Sequence, residues 1–280
     1  MPEPGRSEPA GPTAHTDLFA RQHLPPRELW PRFDYASLPE LRAYPNRINC
    51  AVELLDRMCE AGHAERPVLH YESTTWTYGQ LRDLSNRIAR VLVEDMGLVP
   101  GNRVLLRAAN NPMLVACWFA VLKAGGICVT TMQLLRAREL TYIIEKSQVS
   151  HALCDLGLAE AMEEAKSKAS VCKHLLYFSA VGDQPAKASL DRAAERKPAT
   201  FKPCDTAADD LALIAFTSGT TGNAKATMHF HRDVMAISDC FPRSFRMSEP
   251  GDIFAGTPPL AFTFGLGGST IFPMRFGAST

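Results

Sequence analysis

The sequence has no hydrophobic run long enough to cross a membrane. Its longest unbroken apolar stretch extends only from Met113 to Leu122, whereas a spanning helix needs roughly 20 such residues. The N-terminus carries prolines and acidic residues where a signal peptide has its apolar core. We therefore expect no membrane span, no secretion and a cytoplasmic protein.

Paired cysteine motifs and an excess of charge are also absent. The eight cysteines include no C-x-x-C pair, which argues against structural zinc and predicts reduced, mostly buried thiols. The 30 basic side chains are balanced by 30 acidic ones, so no nucleic-acid partner is expected. What remains is a globular chain whose 280 residues can bury a large core.

Short apolar segments alternate with amphipathic ones along most of the chain. The apolar segments predict a strand or hairpin at 67–78 and strands at 103–107, 127–130, 151–154, 174–178 and 211–216. The amphipathic segments predict helices at 49–61, 77–96, 111–124, 136–147 and 156–169. Thr77 with Gln80 predicts a capping box for the second of these, and Asn111-Pro112 predicts the cap and first position of the third. This alternation is typical of a parallel sheet covered by helices on both faces, so the predicted fold class is α/β.

Three stretches lack this alternation. Residues 1–23 are predicted to form a flexible N-terminal extension, because nothing up to about Asp17 is periodic. Residues 24–46 hold several aromatic side chains and are predicted to lie packed across a domain surface. The polar stretch between Ser179 and Asp209 is predicted to be a surface loop.

A loop rich in hydroxyls follows the last predicted strand, with the sequence Thr217-Ser-Gly-Thr-Thr-Gly-Asn-Ala-Lys225. Gly219 and Gly222 permit positive φ and let backbone N–H groups approach an anion closely. The hydroxyl groups add donors, and Lys225 adds a mobile positive charge. The pattern predicts a phosphate-binding loop; the alternative is a solvated turn that binds nothing.

The loop does not have the spacing of a Walker-type nucleotide loop. That motif needs four residues between its first glycine and a Gly-Lys-Ser/Thr triplet. Here Gly219 and Gly222 are three positions apart, and Ala224 stands before Lys225.

The sequence TSGTTGNAK resembles the signature loop of the adenylate-forming superfamily, which includes acyl-CoA synthetases, peptide synthetase adenylation domains and luciferases. The family usually has proline at the position of Ala224. Residues 122–155 resemble its second conserved block, and residues 74–92 resemble its first helix with the preceding strand. The segments HLPPRELWPRFDY, TTMQLLRARELTYII and PPLAFTFGLGG are most similar to segments of benzoate and 2-aminobenzoate CoA ligases.

The resemblance covers the chain from about Asn46 to its end. It implies that residues 24–280 are an incomplete N-terminal portion of an AMP-binding domain without the C-terminal domain. It also implies an ATP-dependent acid–thiol ligase that forms an acyl-adenylate from an aromatic acid and then a thioester with coenzyme A. Magnesium would arrive with ATP, and no metal-binding residues are expected in the chain.

The resemblance assigns site residues as well. Lys225 and Thr217 would be catalytic, and the loop would hold the β- and γ-phosphates. The phosphate-binding residues implied are Thr217, Ser218, Gly219, Thr220, Thr221, Gly222 and Lys225. The substrate-binding residues implied are Phe262, Phe264, Gly265 and Gly267. Core packing is the alternative for both phenylalanines.

The segment His229-Phe-His231 has the spacing of a metal-binding pair. No further ligand follows at suitable spacing, so His231 is instead predicted to begin a helix.

Segments that the superfamily uses are absent from this sequence. No tyrosine follows Tyr177 and no lysine follows Lys225, so the family's adenine-binding segment and its second lysine are missing. We therefore expect the 280-residue chain alone to be inactive. Two alternatives stay open: a fragment of an aliphatic acyl-CoA synthetase, and a non-catalytic binding or regulatory fragment. The exact acid, the choice between coenzyme A and a carrier protein, and the oligomeric state stay open too.

Overall fold

The computed structural model describes residues 12–217, 224–245 and 250–280; for residues 242–245 it describes only the helix to which they belong. The predictions for Ser218, Gly219, Thr220, Thr221 and Gly222 therefore lie outside the described residues.

A six-stranded sheet forms the centre of the molecule, with a separate hairpin beside it. The hairpin consists of β1 (Pro67–Tyr71) and β2 (Thr74–Thr77), and the sheet consists of β3 (Arg103–Ala108), β4 (Ile127–Met132), β5 (Val149–Asp155), β6 (His174–Phe178), β7 (Leu211–Thr217) and β8 (Lys225–Phe230). The strand order is β6-β5-β3-β4-β7-β8. The first five strands are parallel and β8 is antiparallel to β7. The predicted α/β class with a mainly parallel sheet is confirmed.

Helices cover the sheet. They are α1 (Phe19–Gln22), α2 (Pro39–Arg42), α3 (Tyr78–Arg90), α4 (Pro112–Lys123), α5 (Ala137–Ser147), α6 (Ala159–Lys168), α7 (Ser189–Glu195), α8 (His231–Phe245), α9 (Thr263–Leu266) and α10 (Phe272–Arg275). Single 3₁₀ turns occur at Arg27–Leu29 and Leu156–Leu158, and wider helical turns at Val52–Asp56, Cys59–His63, Val91–Asp95 and Gly267–Ile271. None of the helices described is long and apolar enough to span a bilayer.

The helix starts follow the capping residues expected from the sequence. The Thr77 hydroxyl accepts a hydrogen bond from the Gln80 backbone N–H, and the Gln80 side chain accepts one from the Thr77 N–H. At α4, Asn111 Oδ1 accepts a bond of 2.9 Å from the Leu114 N–H, and Pro112 occupies the first turn. Both predicted caps are confirmed.

The two faces of the sheet bury separate apolar clusters. Along β3, Val104 and Leu106 belong to one cluster and Leu105 to the other, because successive side chains of a strand point to opposite faces. Helix α4 covers the first face, and all of its residues are buried. This two-sided burial explains why these strands read as continuous apolar runs. Six of the eight cysteines are buried, as predicted.

Residues 12–23 do not form the flexible extension expected for them, because they are bound to the domain. The Asp210 carboxylate accepts hydrogen bonds from the Thr13 hydroxyl and from the Ala14 N–H. Asp17 forms an ion pair of 2.6 Å with the buried Arg103 guanidinium. These partners lie far away in the sequence, so local periodicity carries no sign of them.

The next stretch, residues 24–46, lies across the domain surface as predicted. Trp30 packs against Phe230 with ring centroids 5.4 Å apart. The Tyr44 hydroxyl donates to Asp239 on α8.

The predicted surface loop between Ser179 and Asp209 contains helix α7, so that prediction is wrong in part. Leu190 and Ala194 are buried. The buried Asp191 carboxylate accepts hydrogen bonds from the backbone N–H groups of Ser179 and Gln184. One internal carboxylate thus satisfies the turn before the helix, which allows a polar segment to be buried.

Candidate functional site

The two ends of the predicted phosphate loop lie side by side. Strand β7 ends at Thr217, β8 begins at Lys225, and these two residues are direct partners in the antiparallel ladder. Thr217 therefore lies at the carboxyl end of a parallel strand, the edge where open α/β sheets bind their ligands.

Both residues are accessible at this edge. The Thr217 hydroxyl donates a hydrogen bond of 3.4 Å to the Lys225 carbonyl oxygen, and both side chains are exposed. In the described part of the chain, no carboxylate forms an ion pair with the Lys225 ammonium group. The charge of Lys225 is thus available to an anion.

A cavity of about 480 Å³ opens beside Thr217. Four segments line it: the end of β4 with the following turn, the first two turns of α5, the end of β7 with Ala224, and the stretch Ala261–Phe262. The lining residues are Thr130, Thr131, Met132, Leu135, Arg138, Glu139, Tyr142, Ile143, Phe216, Thr217, Ala224, Ala261 and Phe262. Thr217, which is predicted to bind phosphate, and Phe262, which is predicted to bind the acid, thus border the same cavity.

Hydrogen bonds to residues far away in the sequence place Phe262 at this cavity. Thr130 Oγ1 donates to the Ala261 carbonyl oxygen over 3.1 Å. The Asn110 side chain accepts from the Leu260 N–H at 2.8 Å and donates to the Pro258 carbonyl oxygen at 3.0 Å. Strand β4 and the end of β3 therefore fix the segment that carries Phe262.

The core-packing interpretation is wrong for both phenylalanines. Phe262 is 37% exposed and borders the cavity, and Phe264 is 76% exposed. Phe264 does not line this cavity.

Gly265 and Gly267 are surrounded by the chain's own atoms. A Cβ at Gly265 would lie 2.2 Å from the Pro259 carbonyl oxygen, and a Cβ at Gly267 would lie 2.8 Å from the Phe272 ring. The missing side chain of Gly265 allows the helical stretch after Phe262 to approach residues 258–259, and that of Gly267 leaves room for the Phe272 ring.

A second, larger cavity of about 930 Å³ lies between residues 23–41, β8, α8 and the stretch 263–272. Gly267 lines it, but neither Thr217 nor Phe262 does. We therefore place the candidate site in the smaller cavity, where the predicted phosphate and acyl residues meet.

Arg107 supports the turn that borders the site, and the sequence reasoning missed this role. Its guanidinium is buried beneath the turn after β4 and donates to the carbonyl oxygens of Met132, Gln133 and Leu135. Burial lowers the pKa of this guanidinium. An arginine inside an otherwise apolar strand was the signal that could have identified it.

His231 is the first residue of α8, which confirms that it begins a helix. Its Nδ1 accepts a hydrogen bond of 3.2 Å from the Cys50 N–H, and burial lowers the pKa of the imidazole to about 3. His229 Nε2 lies 3.0 Å from the Thr227 hydroxyl. Over the described residues, no three His, Cys, Asp or Glu side chains are grouped so that they could hold a metal ion.

Comparison with known proteins gives a consistent assignment. Residues 56–280 match the sequence model of the AMP-binding enzyme family. The chain is 26% identical over 246 residues to a benzoate–CoA ligase of Thauera aromatica, covering 88% of this chain and 46% of that protein. It is 27% identical over 232 residues to a 3-hydroxybenzoate–CoA/4-hydroxybenzoate–CoA ligase of the same organism, covering 83% and 44%.

Solved structures show the same fold. An anthranilate CoA ligase in complex with anthranoyl-AMP superposes with a TM-score of 0.79 at 24% identity, covering 85% of this chain and 45% of that one. ATP-bound MatB from Rhodopseudomonas palustris superposes with a TM-score of 0.73 at 25% identity, covering 82% and 44%. The chain spans less than half the length of each of these four proteins.

Proposed function

Since this chain belongs to the AMP-binding enzyme family, we propose that it supplies the phosphate-binding part of an ATP-dependent acid–CoA ligase acting on an aromatic acid. One observation carries the proposal. Thr217 and Lys225 are ladder partners at the carboxyl edge of the sheet, and Thr217 shares its cavity with Phe262.

The chemistry of these residues fits the triphosphate of ATP. In the first step the acid's carboxylate attacks the α-phosphorus and pyrophosphate leaves. Lys225 and the Thr217 hydroxyl neutralise the negative charge that builds on the leaving pyrophosphate. Ser218, Gly219, Thr220, Thr221 and Gly222 add backbone and hydroxyl donors. Mg²⁺ arrives with ATP and supplies further charge neutralisation.

An aromatic acid fits the other side of the cavity. The Phe262 ring offers an apolar face that lines this cavity, and a volume of about 480 Å³ suits a small arene. Gly265 and Gly267 contribute through the path they allow the backbone to take beside Phe262, whereas the Phe264 ring lies outside this cavity. The names of the Thauera aromatica relatives, benzoate and hydroxybenzoate CoA ligases, support an aromatic substrate and coenzyme A as the thiol acceptor. The buried thiols support a reducing, cytoplasmic location.

These 280 residues span less than half the length of the ligases they resemble. The 280-residue chain alone is expected to bind Mg·ATP weakly and to catalyse no ligation.

The test is ATP–pyrophosphate exchange, measured for the 280-residue chain and for the longest open reading frame that contains it. Benzoate, 3-hydroxybenzoate, 2-aminobenzoate and octanoate are compared as acids. The proposal expects exchange with a benzoate in the longer protein only. Phe262→Ala should reduce discrimination between benzoates, and Phe264→Ala, which alters a ring outside the cavity, should reduce it less. Preference for octanoate would establish the aliphatic alternative, and no exchange with any acid in the longer protein would establish the non-catalytic one.

A further inference from the structure

Helix α5 contacts the residue directly before Lys225. The Tyr142 hydroxyl donates a hydrogen bond of 3.2 Å to the Ala224 carbonyl oxygen. Both residues are half-buried and both line the cavity of the candidate site. Tyr142 lies in the second turn of α5, more than 80 residues before Ala224 in the sequence, so this contact joins two separate layers of the fold.

The start of β8 is therefore held at two points. On one side, Lys225 pairs with Thr217 in the β7–β8 ladder. On the other side, the Tyr142 hydroxyl fixes the Ala224 carbonyl. Among the described residues, β8 is the edge strand of the sheet, so there the ladder holds it from one side only. Tyr142, which lies outside the sheet, supplies the second contact through its hydrogen bond to Ala224.

Helix α5 is itself set in place by the buried Arg107. The three carbonyl oxygens bound by this guanidinium belong to the turn that leads from β4 into α5, at distances of 3.1, 3.1 and 2.8 Å. Arg107 forms no ion pair with any described carboxylate, and its Nε has no hydrogen-bond partner among the described residues. A guanidinium buried without an anion is costly, so its contribution lies in the geometry that it imposes on the turn.

Resting on the proposed function, we propose that Tyr142 is a positioning residue for nucleotide binding, which holds Ala224 so that Lys225 faces the phosphates. Arg107 supports it by fixing the turn from which α5 begins. Neither residue is placed against the reacting atoms. Their effect passes from β3 through the turn and α5 to the first residues of β8.

The variant Tyr142→Phe removes only the hydroxyl and keeps the ring that lines the cavity. Tyr177→Phe is the matched control, because it also removes the hydroxyl of a half-buried tyrosine, here one that donates to Glu163 at the far edge of the sheet. The first measurement is amide hydrogen exchange at residues 224–226 in the 280-residue chain without nucleotide. We expect exchange there to become about five- to ten-fold faster in Tyr142→Phe, the effect of one lost hydrogen bond, and to be unchanged in Tyr177→Phe. Unchanged exchange in Tyr142→Phe, or an equal change in both variants, overturns the proposal.

The second measurement is the dissociation constant of Mg·ATP for the longest open reading frame that contains the chain, with adenosine as a probe that lacks phosphates. Tyr142→Phe should weaken Mg·ATP binding about five- to ten-fold and leave adenosine binding unchanged. In a Lys225→Ala background, the same substitution should have no further effect, because Tyr142 acts through Lys225. An additive loss in the double variant overturns the positioning role.

A third variant tests the supporting role of Arg107. Arg107→Lys keeps the charge but cannot reach three carbonyl oxygens at once. Exchange should become faster first in the turn at residues 133–136 and also at residues 224–226. If exchange becomes faster in the turn alone, Arg107 does not act on the contact between Tyr142 and Ala224, and its proposed supporting role is wrong. If wild-type protein binds no Mg·ATP, the proposed function fails, while the exchange measurements still decide whether Tyr142 holds β8.

Discussion

The helical stretch that follows Phe262 gives a sharp test, because three of its glycines differ in what surrounds them. We predict that Gly265→Ala destabilises the protein strongly, whereas Gly268→Ala, three residues further along, does not. A Cβ at Gly265 would lie 2.2 Å from the Pro259 carbonyl oxygen and 2.7 Å from that of Pro258. A Cβ at Gly268 would have no heavy atom within 4 Å.

The magnitudes follow from these distances. The obstacle at Gly265 is backbone, so the helix must move by about 1 Å away from residues 258–259, at a cost of about 3 kcal/mol in the free energy of unfolding. Gly268 has open space, and alanine there should stabilise the helix by about 0.5–1 kcal/mol. Gly267→Ala meets the Phe272 ring at 2.8 Å. A ring can shift, so the net change there should stay within about 1 kcal/mol.

Urea unfolding followed by circular dichroism measures all three variants under one set of conditions. The expected order of stability is Gly268→Ala, then Gly267→Ala, then Gly265→Ala. The same displacement should move Phe262, so Gly265→Ala should also weaken binding of the aromatic acid. If Gly265→Ala unfolds at the wild-type urea concentration, the close approach between this helix and Pro259 is wrong.

Two further predictions concern the buried polar groups at the start of α8 and the N-terminal segment. Burial lowers the pKa of His231 from 6.5 to about 3. Between these two pH values the unfolded chain therefore binds one more proton than the folded chain. The free energy of unfolding then falls as pH falls, by about 1.4 kcal/mol per pH unit. His231→Asn keeps an acceptor for the Cys50 N–H but has no titrating group. Between pH 6 and pH 5, its free energy of unfolding in urea should therefore fall by about 1.4 kcal/mol less than that of the wild type. An unchanged slope would contradict a neutral, buried His231. Asp210→Ala removes the carboxylate that binds Thr13, Ala14 and Arg21, so limited trypsin digestion should cleave after Arg21 much faster. Asp205→Ala, which removes an exposed partner of Arg47, is the control and should leave that cleavage rate unchanged; equal rates in both variants would show that Asp210 does not hold the segment.

Local signals in the sequence predicted the elements that frame the site. The apolar run before Thr217, the caps at Thr77 and Asn111 and the helix start at His231 all depend on neighbours within a few residues, and all are present in the structure. Thr217 and Lys225, the two ends of the predicted phosphate loop, lie at the end of β7 and the start of β8.

Features that depend on distant partners were missed. Asp210 holds residues 13–14 from across nearly 200 positions, and Asp191 permits helix α7 inside a polar stretch. Arg107 and Tyr142 meet the site only after β3, β4 and α5 have assembled. The periodicity of apolar residues cannot predict such contacts, because the order of strands in the sheet brings the partners together.

The central claim is that Lys225, beside Thr217, faces the phosphates of a bound nucleotide. An acyl-phosphate derivative of ATP tests it directly, because such a probe transfers its acyl group from the terminal phosphate to a nearby lysine amine. We expect mass spectrometry to find the acyl group on Lys225, with excess Mg·ATP suppressing the labelling. Labelling of other lysines in preference to Lys225, or labelling of Lys225 that Mg·ATP does not reduce, would contradict the account.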